Sequence, residues 1–119
     1  MFADTITTDY AGTGDLVLTK RKEDGYSSEY FGSIGLVDFK MSIKHTFPKD
    51  RTAGETSHMV RLDATEYNAD NLVIRKWSVW RPYSTNVGRQ DTTGVTNLNK
   101  ALNTFLTAGN LTKLLNGES

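Results

Sequence analysis

Leu36 to Phe47 carries the cleanest pattern in the chain: Val37, Phe39, Met41 and Ile43 alternate with Asp38, Lys40, Ser42 and Lys44. Successive side chains of a strand point to opposite faces, so this period predicts a strand with one apolar face and one polar, basic face. Pro48 is read as its end and Lys49 to Ser57 as a polar loop. His58 to Tyr67 repeats the logic, with Val60, Leu62 and Ala64 on one side and Met59, Arg61, Asp63 and Thr65 on the other. Upstream, Thr5 to Tyr10 and Asp15 to Thr19 are rich in β-formers and flank Ala11-Gly12-Thr13-Gly14, a composition suited to a tight hairpin. Lys20 to Gly25 reads as a charged turn, and Ser27 to Ile34 as a short strand weakened at its end by Gly32 and Gly35. After a turn at Asn68-Ala69-Asp70-Asn71, Leu72 to Tyr83 is the last strand. Its facing is ambiguous from pattern. Trp77 and Val79 are assigned to the apolar face, which leaves Lys76, Ser78 and Trp80 on the other.

The last quarter changes period. Beyond a loop at Ser84 to Gln90, Asp91, Thr92 or Thr93 suits a helix cap, and Val95, Leu98, Ala101, Leu102, Phe105 and Leu106 fall on one helical stripe. Gly109 stands where a C-terminal glycine is expected, and Leu111, Leu114 and Leu115 mark a second, very short helix over Asn110 to Asn116, ending at Gly117. Strands followed by helices predict an α+β fold, with helices on one side of an antiparallel sheet and the other side polar and open. A helix of about four turns is marginal in water unless its apolar face docks. Val37, Phe39, Met41, Ile43, Val60 and Leu62 offer such a surface, on its own sheet or a neighbour's, and periodicity does not separate the two.

Composition sharpens this picture. The 119 residues fit one domain, read as a hairpin at 1–19, a sheet at 20–84 and helices at 91–117. Only 37% are hydrophobic and the mean hydropathy is −0.48, so part of the apolar surface is expected to be completed by a partner subunit. The absence of Cys excludes disulfides, thiolate catalysis and sulfur-ligated zinc. Met1 to Tyr10 lacks a signal-peptide pattern and no apolar run approaches a membrane span, so a soluble protein made in a cytoplasm, without a membrane partner, is expected.

The formal net charge is zero, but the charges are unevenly spread. Arg75, Lys76, Arg81 and Arg89 form one acid-free group, and Lys40, Lys44, Lys49 and Arg51 a second. Acids gather at Asp4, Asp9, Asp15, Glu23 and Asp24. A local basic surface on a neutral protein follows. His45 and His58 lack metal-ligand spacing and are read as structural. The Gly-Thr-Gly turn lacks the third glycine and following helix of a phosphate loop. Nothing predicts a converging catalytic set, so no enzyme, cofactor or metal is expected.

In order and length, nearly the whole chain resembles the coat proteins of small positive-strand RNA bacteriophages, the levivirus type. The resemblance is carried by Asp9 through Gly12-Thr13-Gly14-Asp15 to Leu16-Val17-Leu18, by Lys100-Ala101-Leu102 through Phe105-Leu106 to Gly109-Asn110, and by the paired strands Phe39–His45 and His58–Ala64 between them. It implies an N-terminal hairpin, a five-stranded antiparallel sheet and two C-terminal helices, in an interlocked homodimer whose sheets join edge to edge. Each subunit's helices would lie across the partner's sheet, giving Val95, Leu98, Leu102, Phe105, Leu106, Leu111, Leu114 and Leu115 to the interface. Dimers would then build a T=3 icosahedral shell around single-stranded genomic RNA, with a single-copy maturation protein as a further partner. The implied location is the virion, after assembly in the host bacterial cytoplasm. An RNA stem-loop bound on the inner face would make the protein a translational repressor. Carried over by position, the RNA-facing residues are Lys40, Ser42, Lys44, Thr46, Met59, Arg61 and Asp63, with Lys76, Ser78 and Trp80 from the last strand. The alternative is a non-assembling dimeric module that binds RNA or protein on the same open sheet.

Overall fold

A computed structural model describes residues 2–47, 54–86 and 92–118. The chain forms two compact units, residues 1–87 and 88–119.

The first unit is a single antiparallel sheet of six strands in sequential order: β1 (Thr5–Thr8), β2 (Leu16–Glu23), β3 (Ser27–Ile34), β4 (Val37–Thr46), β5 (Glu55–Tyr67) and β6 (Val73–Asn86). The hairpin strands are thus continuous with the sheet. Several boundaries differ from the pattern-based reading. Lys20 to Glu23 continue β2 instead of turning, because Lys20 and Lys22 pair with Tyr30 and Glu29 across a bulge. The turn is Asp24 to Tyr26, held by Asp24 Oδ1 accepting the Tyr26 and Ser27 N–H groups at 2.8 Å each. Strand β5 starts at Glu55, and β6 runs on to Asn86 because the two pair from Glu55↔Asn86 onward. A polar strand end carries no apolar period, so pairing alone decides it. Pro48, Lys49, Arg51, Arg89 and Asp91 lie outside the described residues.

The bulge and Gly32 let the hairpin fold back over the sheet. Leu16, Leu18, Tyr30, Phe39, Ile43 and Ala64 form the buried core. Tyr10 packs edge-on to Phe39 at 4.8 Å, and the Tyr30 hydroxyl donates to the Ala3 carbonyl at 2.8 Å. Thus the hairpin covers the β3–β4 half of the apolar face. The β5–β6 half stays open: Leu62 and Trp77 are half-buried, while Val60 and Val79 are exposed.

The hairpin turn is fastened by carboxylates. Asp15 accepts the Tyr10 N–H at 2.6 Å and the Ala11 N–H at 2.9 Å, and Asp9 accepts the Gly14 N–H. Those backbone donors to the Asp15 carboxylate hold its pKa below the ordinary carboxylate value of 3.8. A depressed folded-state pKa contributes stability that is present above the unfolded value and lost as pH falls through the folded one. Asp15→Asn should therefore lower the melting temperature at pH 6, with the gap to wild type closing as the pH drops below about 4. A gap that persists unchanged at pH 2 would show that the carboxylate charge is irrelevant to the turn.

The second unit holds α1 (Thr92–Phe105) and α2 (Ala108–Leu115). Gly109 does not end α1 as expected; it lies in the first turn of α2. The break is made by Thr107, whose extended backbone caps α2 while its side chain accepts the Asn110 N–H at 3.3 Å. Gly117, at φ 79°, is the glycine that stops α2, with the Glu118 N–H returning to the Lys113 carbonyl at 3.0 Å. Neither helix has a buried residue within one chain.

Candidate nucleic-acid interface

Antiparallel register turns the alternating pattern into rows that cross the sheet. On the polar face, Phe31, Lys40, Asp63 and Ser78 form one row; Glu29, Ser42, Arg61 and Trp80 the next; Ser27, Lys44, Met59 and Pro82 the third. Thr65 stands opposite Lys76 in a flanking row, and Thr46 ends β4 opposite Ser57. All ten residues expected to face RNA therefore share this side. Trp77 and Val79 lie on the apolar side, in register with Ala64 and Leu62.

Position on a face is not the same as access. Lys44, Thr46, Arg61, Lys76, Ser78 and Trp80 are exposed, Lys40, Met59 and Asp63 are half-buried, and Ser42 is buried beneath the row it belongs to. Trp80 presents 62% of its surface to solvent, which is unusual for a side chain of that size. A shallow depression of about 510 Å³ opens among Phe31, Lys40, Asp63, Thr65, Lys76 and Ser78.

The electrostatics are more balanced than the sequence suggests. Strand β3 brings Glu29 to within 3.4 Å of Lys40 Nζ, and Asp63 lies 2.9 Å from Arg61 Nε. Lys40 also sits 5.9 Å from the centre of the Phe31 ring. Lys44 and Lys76 make no ion pair among the described residues. Two cations are thus partly neutralised, and two are available to an incoming phosphate. Strand alternation also divides the basic run of β6. Lys76 takes the polar face, whereas Arg75 takes the other, pairing with Glu66 at 3.3 Å and lying 4.4 Å from the Trp77 ring centre. Glu29 and Phe31 were not anticipated as part of this surface, because Ser27 to Ile34 shows no clean alternation to assign them a side.

On the helices most of the large apolar side chains are exposed. Leu98, Phe105 and Leu114 are 74%, 64% and 60% exposed. Leu102, Leu111 and Leu115 are exposed too, with Val95 and Leu106 half-buried. The outer edge of β6, a strand of 14 residues, has no neighbour in the sheet among the described residues.

Residues 3–81 of the chain are matched by a family profile described as "Phage phiCb5, coat protein". The chain belongs to this coat-protein family. The match runs from the hairpin into β6 and so spans most of the sheet unit. No curated protein matches the chain. As a phage coat protein it is a structural component of a virion and not an enzyme.

Proposed function

We propose that this coat protein forms an interlocked homodimer, assembles into an icosahedral shell, and binds single-stranded phage RNA on the open polar face of its sheet. The observation that carries the reading is the pairing of unmet needs in one chain. Two helices leave Leu98, Phe105 and Leu114 in water, and the β5–β6 half of the apolar face leaves Val60 and Val79 in water. Burying each large side chain is worth roughly 1.5–3 kcal/mol. A second copy supplies each surface with the other, and makes sheet and helices one domain in function. The long free edge of β6 is a template for strand pairing, and joining it to its copy doubles the sheet while leaving the polar side uncovered.

On that side Lys44 and Lys76 neutralise phosphates, Ser78 and Thr46 supply hydroxyls, and Trp80 offers a ring to an unpaired base. A stem-loop held there would repress translation of a phage message and select the genome for packaging in the host cytoplasm, with a single-copy maturation protein completing the particle. A T=3 shell is the arrangement that the levivirus resemblance favours.

The decisive experiment is expression of the chain alone in bacteria, followed by electron microscopy of the purified product. Uniform particles that contain RNA are expected. Recovery of only monomers or free dimers, in low-salt buffer at high concentration, would refute assembly and leave the non-assembling binding module as the better description. RNA recognition is tested separately. Lys44→Ala and Lys76→Ala should each weaken binding and reduce the slope of log affinity against log salt by about 1, with dimers intact. Lys40→Ala should change that slope less, since Glu29 already shares its charge. Equal slopes for all three variants and wild type would remove the polar face from RNA binding.

A further inference from the structure

His45 and His58 are far apart in the chain but stand directly opposite each other across β4 and β5. Both are half-buried, on the apolar side, and their Nδ1 atoms are 2.8 Å apart. In that contact one nitrogen carries the hydrogen and the other presents a lone pair. A second bond decides which. His58 Nε2 lies 3.2 Å from Thr56 Oγ1. The buried Thr56 hydroxyl in turn lies 3.3 Å from the Thr85 carbonyl oxygen and 3.0 Å from the Thr85 hydroxyl. With its single hydrogen given to Thr85, the Thr56 oxygen accepts from His58 Nε2–H. This tautomer leaves His58 Nδ1 unprotonated and aimed at His45. Burial, with the neighbouring His45, also lowers the His58 pKa from its ordinary 6.5 and keeps the ring neutral at pH 7.

We propose that His45 and His58 form a two-histidine chelating site for a late divalent transition-metal ion, Cu²⁺ or Ni²⁺, which displaces the shared proton and sits to one side of the line between the two Nδ1 atoms, the rings tilting to aim both lone pairs at it. Nitrogens 2.8 Å apart, each about 2.0–2.1 Å from a metal, subtend roughly 85–90° at the ion. That is the angle between neighbouring positions of a tetragonal or octahedral site, and narrower than the roughly 110° of tetrahedral zinc. On binding, the His45 Nδ1 proton moves through solvent to its own Nε2, so both imidazoles ligate as neutral rings. Thr56 acts as a positioning residue: it orients His58 and fixes its tautomer, as outer-shell partners of metal-bound histidines do. No group of three or more His, Cys, Asp and Glu suited to a metal occurs among the described residues, so the two imidazoles are the ligands that define the site. The ion ties β4 to β5 near the end of their shared ladder.

The chain has only two histidines, so counting imidazoles on the metal identifies them without ambiguity. Cu²⁺ added to the chelator-treated, full-length protein should saturate at one ion per chain, and pulsed electron paramagnetic resonance should detect two equatorial imidazoles. By calorimetry with Ni²⁺, His45→Asn and His58→Asn should each weaken binding at least about tenfold. Thr56→Val, which keeps both imidazoles but frees the tautomer, should weaken it about 10- to 100-fold. A single imidazole, or none, on the saturated wild-type protein overturns the site, and that measurement stands even where a variant fails to fold. Unchanged Ni²⁺ affinity in His58→Asn overturns it equally.

Discussion

Phe105→Ala should shift the coat protein from dimer toward monomer, costing about 3–5 kcal/mol of dimer stability. Within one chain Phe105 is 64% exposed, so truncating it removes only a minor part of what the isolated subunit buries. The penalty appears only where a partner encloses the ring, because a cavity is then left in a packed interface. By sedimentation equilibrium, a loss of 3–5 kcal/mol raises the dissociation constant by roughly two to four orders of magnitude. Leu115, at 86% exposure, should behave alike if α2 docks beside α1. Secondary structure by circular dichroism should follow the dimer, since a helix of 14 residues is marginal in water without a docked face. A dimer constant identical to wild type would mean that the helices are not covered by the second copy, and the interlocked arrangement would fall with it.

Gly32→Ala should destabilise the sheet unit itself, before any question of assembly. Strand β2 crosses so close to Gly32 that a Cβ there would collide with the Val17 carbonyl oxygen, and would meet Leu18 Cδ2 at 3.1 Å. The first obstacle is backbone, which has no rotamer to escape into. Relief requires β2 to lift, and β2 carries Leu16 and Leu18, both fully buried. Overpacking typically costs 1–3 kcal/mol, and partial loss of two buried leucines adds to it. A fall of about 10 °C or more in the melting temperature is expected. A bulkier Gly32→Val should be recovered only as insoluble protein. A melting temperature within a degree of wild type for Gly32→Ala would show that the hairpin does not press on β3 in solution.

The expected strands and helices were legible because each is written in near neighbours. Alternation from Val37 to Lys44 specifies two faces wherever the strand is placed, and the stripe from Val95 to Leu106 specifies one helical side. The sharing of one face by Lys40, Arg61 and Trp80 followed from the same period once the strands were paired. Gly109 was misread for a local reason: a glycine after an apolar stripe resembles a stop, whereas the Thr107 cap restarts a helix through it. Nothing in a two-residue window distinguishes those outcomes.

What the amino-acid order determined by itself is the set of elements and the chemistry of each of their sides. Only the tertiary structure decided which residues meet. Register set Glu29 beside Lys40 and His45 against His58, and the back-folded hairpin buried Phe39 with Leu16 and Leu18. The physical reason is range. Side-chain period is imposed within a few residues by backbone geometry, whereas a contact between distant strands exists only after pairing has aligned them, and the same alternation is compatible with any register that keeps its apolar side inward.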